Sequence, residues 1–179
     1  MTIRTAAFSD LETLTAQDRH ISKAELENLI RLGRVTVLEV DGEFAGWLRW
    51  NLFWDNTPFL NMLYLLESYR GKGLGRAMMA HWEAEVAALG YDRCMTSTAS
   101  DEYAQHFYQK LGYSAIGGFT IPSDPYELIF CKIAIHIEAL LFLSFILSFF
   151  KSFQLHEVLH FLTLGFPQVL AATEGLAFW

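Results

Sequence analysis

Arg70-Gly71-Lys72-Gly73-Leu74-Gly75-Arg76 lies between an apolar stretch, Pro58–Leu66, and a helical pattern in which Leu74, Met78, Trp82, Val86 and Leu89 share one face. A strand running into a glycine-rich turn and then a helix is a setting for an anion. The first turn of a helix leaves N–H groups free and carries a partial positive charge. Glycines let a backbone come close enough for successive amides to cradle phosphate. Arg70, Lys72 and Arg76 add positive charge around that turn. A pyrophosphate is the guest these residues suit. The Rossmann pattern fails, because it needs three differently spaced glycines after the first strand, and here several strands come before. The Walker pattern fails because Leu74 follows Gly73 where Lys and then Ser or Thr would be needed.

Outward from this turn the chain reads as alternating strands and helices. Thr2–Thr5 predicts a first strand. Ser9-x-x-Glu12 and Ser22-x-x-Glu25 read as capping boxes and predict short helices over 10–18 and 23–32. Val35–Val40, the Asp41-Gly42 turn and Phe44–Trp50 predict a hairpin. Pro58–Leu66 predicts a further strand, interrupted by the polar Asn61. The long helix closes at Gly90, and Tyr91–Thr98 predicts a strand. Ala104, Phe107, Tyr108 and Leu111 share a face of a helix that starts near Asp101 and stops at Gly112. Tyr113–Ile121 and Tyr126–Lys132 close the domain as two strands. The order βααβββαβαββ is that of a mixed α/β domain, and 179 residues leave room for a full core.

A second segment now matters, Asp101-Glu102-Tyr103-Ala104-Gln105-His106-Phe107-Tyr108-Gln109-Lys110-Leu111-Gly112-Tyr113. It resembles the later motif Asn-x-x-Ala-x-x-Phe-Tyr-x-Lys-x-Gly-Phe of the GNAT superfamily of N-acetyltransferases. Arg70-x-x-Gly73-x-Gly75 resembles that superfamily's acetyl-CoA loop, Arg/Gln-x-x-Gly-x-Gly/Ala. The two motifs stand in the family order and the resemblance covers about residues 1–132. It implies a central, mixed but mostly antiparallel sheet flanked by helices. It also implies transfer of an acetyl group from acetyl-CoA to a primary amine, on a small molecule or a peptide, by direct attack and without a metal. The backbone at Leu63 and Leu65 would bond the pantetheine arm. Arg70, Gly71, Lys72, Gly73, Leu74 and Gly75 would hold the pyrophosphate, with Arg76 assisting. Tyr108 would donate a proton to the departing thiolate. Asp101 departs from the family's Asn. It can still cap its helix, but a cofactor contact from that side chain is not implied.

An amine must lose a proton before it attacks, so a base is needed. Glu67, at the end of its strand, is the leading candidate, with Asp55 and His20 behind it. Trp47, Arg49, Asn51, Trp54 and Asp55 crowd together after the hairpin turn. Aromatic faces with a carboxylate suit a cationic amine, so Trp47, Trp54 and Asp55 are read as an acceptor wall. Alternation of core and surface residues along one strand would give the same pattern. Protein N-termini, lysines, polyamines, amino acids and aminoglycosides all remain open as acceptors.

The net charge of −7 argues against a nucleic-acid surface, which needs a basic footprint. Cys94 and Cys131 have no metal or redox spacing, and the opening MTIRTAAFSDLETL has no apolar leader core, so a reduced, cytoplasmic protein is expected. Residues 133–179 are different, with Lys151 as their one basic side chain and Glu138, Glu157 and Glu174 as acids. They read as a hydrophobic, helical extension. Ile133–Phe150 is just short of the ~20 apolar residues that a spanning helix takes. A membrane contact, a helix packed on the domain, a homodimer contact and an accidental extension of the reading frame are all open. A membrane-tethered or partner-binding protein that holds acyl-CoA without robust catalysis is the alternative function. His156-Glu157-Val158-Leu159-His160 fits the zinc-protease spacing, yet little chain follows to complete such a site, so no metal is expected.

Overall fold

Strand β1 (Thr2–Thr5) leads through a 3-10 turn into helices α1 (Leu11–Gln17) and α2 (Lys23–Arg31) in the computed structural model, which describes residues 1–133. Strands β2 (Val35–Val40), β3 (Glu43–Phe53) and β4 (Thr57–Leu65) follow, then helix α3 (Leu74–Ala88), strand β5 (Arg93–Ala99), helix α4 (Ala104–Lys110) and strands β6 (Ser114–Phe119) and β7 (Glu127–Ile133). These elements belong to one unit, Met1–Ile135. The expected element order holds. The apolar run from 133 to 150 and the His156–His160 pattern lie outside the described residues, apart from Ile133. Among the described residues no helix is long and apolar enough to cross a membrane.

The seven strands form one sheet in the order β1-β2-β3-β4-β5-β7-β6. Every neighbouring pair is antiparallel except β4–β5. Alternation along the strands sends side chains to two faces. On one face α1 and α2 cover Val35, Val37 and Trp47, with Leu14, Leu26, Leu29 and Ile30 closing the layer. On the other, Met78, Met79, Trp82 and Val86 of α3 and Tyr108 of α4 pack over Leu38, Leu48, Trp50, Leu60 and Phe130.

Local signals held where the backbone demanded them. Asp41 and Gly42 both take positive φ, 54° and 84°, in the β2–β3 turn. The Ser22 hydroxyl accepts the Glu25 N–H at 3.2 Å and so caps α2. Ser9 does not cap α1. Asp10 takes over this region, accepting the Ala7 N–H at 2.7 Å while Arg4 grips its carboxylate. A charged acceptor held by a guanidinium outcompetes a hydroxyl. Asp101 does not cap α4 either. That helix begins later, at Ala104, and the Gln105 side chain ties its start to the carbonyls of Ser100 and Glu102.

Strands β3 and β4 run past their expected ends into a turn where Trp54 and Asp55 hold positive φ. Near their other end, Gly46 faces Tyr64 and Leu65 of β4 so closely that an added Cβ would collide with the Tyr64 carbonyl oxygen and lie 2.8 Å from the Leu65 Cδ2 atom. Gly46→Ala should therefore push the two strands apart and cost about 1–3 kcal/mol, as overpacking does. A lowered thermal midpoint reads this out, and an unchanged midpoint would show that β4 can yield here.

Candidate active site

The site begins with a defect in β4. Arg49 of β3 pairs with Met62 and the next residue, Trp50, pairs with Leu60, so Asn61 is an extra residue without a partner. A bulge of this kind bends its strand and ends regular pairing. The parallel pairing of β4 with β5 covers only Phe59↔Met95 and Leu60↔Thr96. Past that point the two strands diverge. The polar residue that interrupts an apolar strand in the sequence is thus the one at which the sheet opens.

The opening is a cleft of about 670 Å³. Its walls are Leu60–Tyr64 of β4, Thr96–Ala99 of β5, Trp47 of β3, Gln17, Arg19 and His20 from the end of α1, Glu102, Ala104 and Tyr108 from α4 and its approach, and Glu127 of β7. Leu63 lines it, whereas Leu65 packs into the α3 side of the core and gives its carbonyl to Arg70 Nε at 2.9 Å.

Arg70–Arg76 turns from β4 into α3. Gly71 and Gly73 hold φ of 72° and 78°, the left-handed region in which a Cβ is strained, although space around both is open. The Arg70 N–H is spent on the Glu67 carbonyl at 3.2 Å. The backbone N–H groups of Gly71, Lys72, Gly73, Leu74, Gly75 and Arg76 donate to no acceptor among the described residues. A run of free amides at the positive end of a 15-residue helix is what an anionic diphosphate needs. Gly73→Ala should cost about 1–2 kcal/mol through its φ alone and weaken binding of a CoA thioester. Titration calorimetry of the variant reads the binding loss. Unchanged affinity would show that the loop's shape does not matter to the ligand.

The Arg70 side chain rests against β4. Its guanidinium carbon sits 5.0 Å from the centre of the Tyr64 ring while Nε holds Leu65. Lys72 stands 5.7 Å from the Tyr69 ring centre.

Tyr108 is 7% exposed, at the point where β4 and β5 part. The rings of Phe107, Tyr113 and Phe130 lie within 5.4, 5.8 and 6.1 Å of its own. Burial pushes its phenol pKa up, the neighbouring Thr96 hydroxyl pulls it down, and the charge of Glu102 adds to the rise; the net shift is upward. The phenol is therefore protonated throughout the neutral range.

The remaining expected residues divide. Trp47 is buried, lies on the cleft wall, and packs against Tyr64 at 4.8 Å. Trp54 and Asp55 sit on the exposed β3–β4 turn and do not line the cleft, with Trp54 81% exposed. The hairpin extends three residues beyond Trp50 and carries them away. Glu67 is likewise outside the cleft. The chain turns sharply after Leu66, whose N–H bonds the Ala45 carbonyl, and Glu67 opens an exposed 3-10 turn. His20 does reach the cleft.

Sequence reasoning missed the other polar lining. Glu102 is held by Thr98, whose hydroxyl donates to Oε2 at 2.7 Å. Its place within the second motif could have drawn attention. Glu127 has no local signal at all, because it arrives only through its pairing with Ala99 and Phe119. Beneath the α1–α2 side, Asp18 accepts from Arg49 Nε at 2.6 Å, Trp47 Nε1 at 3.0 Å and the His20 N–H at 3.0 Å.

The family model described as the acetyltransferase (GNAT) family matches residues 4–113. Among solved structures, the fold is similar to that of Ard1 from Thermoplasma volcanium, with 18% identity and a TM-score of 0.65 over 75% of this chain and 97% of the other. It is also similar to the ribosomal-protein-S18-alanine N-acetyltransferase from Escherichia coli, with 17% identity and a TM-score of 0.60 over 74% and 93% of the two chains. An aminoglycoside 6'-N-acetyltransferase in complex with coenzyme A gives 19% identity and a TM-score of 0.62 over 75% and 98%. At such identities these likenesses speak for the fold. No curated protein sequence matches the chain.

Proposed function

Because the chain belongs to the acetyltransferase (GNAT) family, we propose that it transfers the acetyl group of acetyl-CoA to a primary amine, with residues 1–132 carrying the activity. The observation that carries this reading is the conjunction of two features. Six consecutive backbone amides, in the turn and the first residues of α3, have no acceptor among the described residues, and the edges of β4 and β5 part beside a buried, protonated phenol.

The residues fit the co-substrate in a definite order. Gly71–Arg76 amides receive the diphosphate, with Lys72 and Arg76 supplying charge. The free backbone of β4 past Leu60, Leu63 included, takes the amide groups of the pantetheine arm as an added strand would. That seats the thioester near Tyr108. The acceptor enters from the side of Trp47 and His20.

Proton accounting sets the roles. The acceptor arrives as an ammonium and loses one proton before its nitrogen attacks the thioester carbon. A second proton leaves nitrogen as the amide forms. The C–S bond breaks, and the thiolate takes a proton from Tyr108, which is reprotonated. One proton in total goes to solvent. Of the carboxylates expected at the outset, neither Glu67 nor Asp55 lines the cleft. Glu127 lines the cleft and its side chain makes no hydrogen bond or ion pair among the described residues. It is the better-placed base, with His20 the alternative.

Titration calorimetry of the full chain with acetyl-CoA tests the reading. One-to-one binding is expected, and competition by free CoA should follow. A folded chain that binds neither overturns it.

A further inference from the structure

We infer that the acceptor is a small zwitterion, an amine carrying its own carboxylate, held between Arg19 on one wall of the cleft and Glu127 on the other. The inference rests on the acetyl-transfer reading and narrows its acceptor.

The cleft has charge of both signs, distributed by element. Glu102 and Glu127 come from the β5–α4 and β7 side. Arg19 comes from the end of α1, with His20 beside it. Glu102 is partly spent, since it takes the Thr98 hydroxyl. Arg19 and Glu127 are not. Neither side chain makes a hydrogen bond or ion pair among the described residues. Elsewhere among the described residues Arg4 pairs with Asp10 and Glu39, Arg49 with Asp18, Arg93 with Asp92 and Lys132 with Glu83, while most other charged side chains form no ion pair; what sets Arg19 and Glu127 apart is that both line the cleft. A cation and an anion thus line one cleft without pairing with each other, which leaves both charges open to a ligand that carries both signs.

The backbone beneath Arg19 is fixed. Asp18, immediately before it, is buried and holds Arg49, Trp47 and the N–H of His20 at once. The turn that presents Arg19 is thereby locked to the sheet on both sides of that residue. A guanidinium on an anchored backbone recognises a planar carboxylate through its paired donors. The polarity of the ligand follows from the reaction. The amine end must reach the thioester beside Tyr108, on the carboxylate side, so the acid end lies toward Arg19.

The test uses the full chain and acetyl-CoA with three matched acceptor series: ω-amino acids from glycine to 6-aminohexanoate, n-alkylamines of the same length, and α,ω-diamines. Thiol release in the presence of acceptor gives kcat/KM for each, and calorimetry gives acetyl-CoA affinity separately. An amino acid of one preferred length should exceed its matched alkylamine by about ten- to a hundredfold, the discrimination expected of one charge-assisted contact. Arg19→Ala should collapse that ratio, with Arg19→Lys restoring part of it, and Arg19→Glu should turn the preference toward the diamine. Equal rates for amino acids and alkylamines, a diamine preference in the unaltered chain, or a ratio that survives Arg19→Ala overturns the inference. So does acetyl-CoA binding without turnover of any series, which leaves the acetyl-transfer reading standing. Failure to bind acetyl-CoA removes both.

Discussion

Tyr108→Phe should lower kcat by about a hundredfold or more while acetyl-CoA affinity changes little, the loss typical of a removed proton donor. The phenylalanine keeps the ring contacts to Phe107, Tyr113 and Phe130, so the fold should persist. What should disappear is the proton that the proposed reaction offers to sulfur as the C–S bond breaks. Binding should be spared, since in the proposed reading backbone groups elsewhere hold diphosphate and pantetheine. A second reading separates a chemical role from a packing role. Burial, the first cause, and the charge of Glu102 hold the phenol pKa above its ordinary value against the pull of Thr96. An alkaline limb set by Tyr108 should therefore lie above the ordinary phenol range. In Tyr108→Phe that limb should vanish along with most of the rate. A variant with unchanged kcat removes Tyr108 from the chemistry.

The second large effect is on stability. Asp18→Ala should destabilise the domain by about 3–5 kcal/mol, the cost of stripping one partner from a buried ion pair. Single domains hold only about 5–15 kcal/mol in all. The side chain of Asp18 is fully buried and that of Arg49 is 8% exposed. Removing the carboxylate leaves a guanidinium, an indole N–H and a backbone N–H without their acceptor. The same site sets an acid limit. Desolvation is the largest single influence on Asp18 and favours the neutral form. The bonds from Arg49 and the His20 N–H, the charge of Arg49 and the Trp47 bond together outweigh it, so the folded pKa lies below the ordinary value. A depressed pKa means the folded state binds the proton more weakly than the unfolded chain. The stabilisation is complete above the unfolded value of about 3.9 and is lost as pH falls through the folded pKa. Chemical denaturation of the parent and Asp18→Ala across the acid range measures this. The gap between them should narrow toward low pH, and a constant gap would show that Asp18 is not the titrating group. Loss of the anchor should also loosen the turn that carries Arg19.

Most of the backbone plan was readable because it depends on signals carried within a few residues. Asp41-Gly42 must turn, since both positions take positive φ. The repeat from Leu74 to Val86 must be a helix with one buried face. Gly71 and Gly73 mark a turn whose backbone takes left-handed φ. What escaped was whatever depended on how far strands run and which ones meet. The hairpin after Trp50 runs on to Phe53, so Trp54 and Asp55, adjacent to the cluster in the chain, end up outside the cleft. Glu67 looked like the end of a strand aimed at the site, but the chain turns after Leu66 and leaves it in solvent. Glu127 carries no local mark of function.

Local chemistry in the sequence was sufficient for the glycine-rich turn and the long helix behind it, because backbone freedom and helical periodicity are properties of neighbouring residues; the phenol came to notice only through the family resemblance of the second motif. The cleft itself was decided only in three dimensions. The extra residue at Asn61 breaks the register between β3 and β4, β5 then parts from β4, and pairing with β7 brings Glu127 to the gap. Charges far apart in the chain line one cleft because the sheet places them so. Register and strand order are set by the packing of both faces at once, and no short window of sequence contains that information.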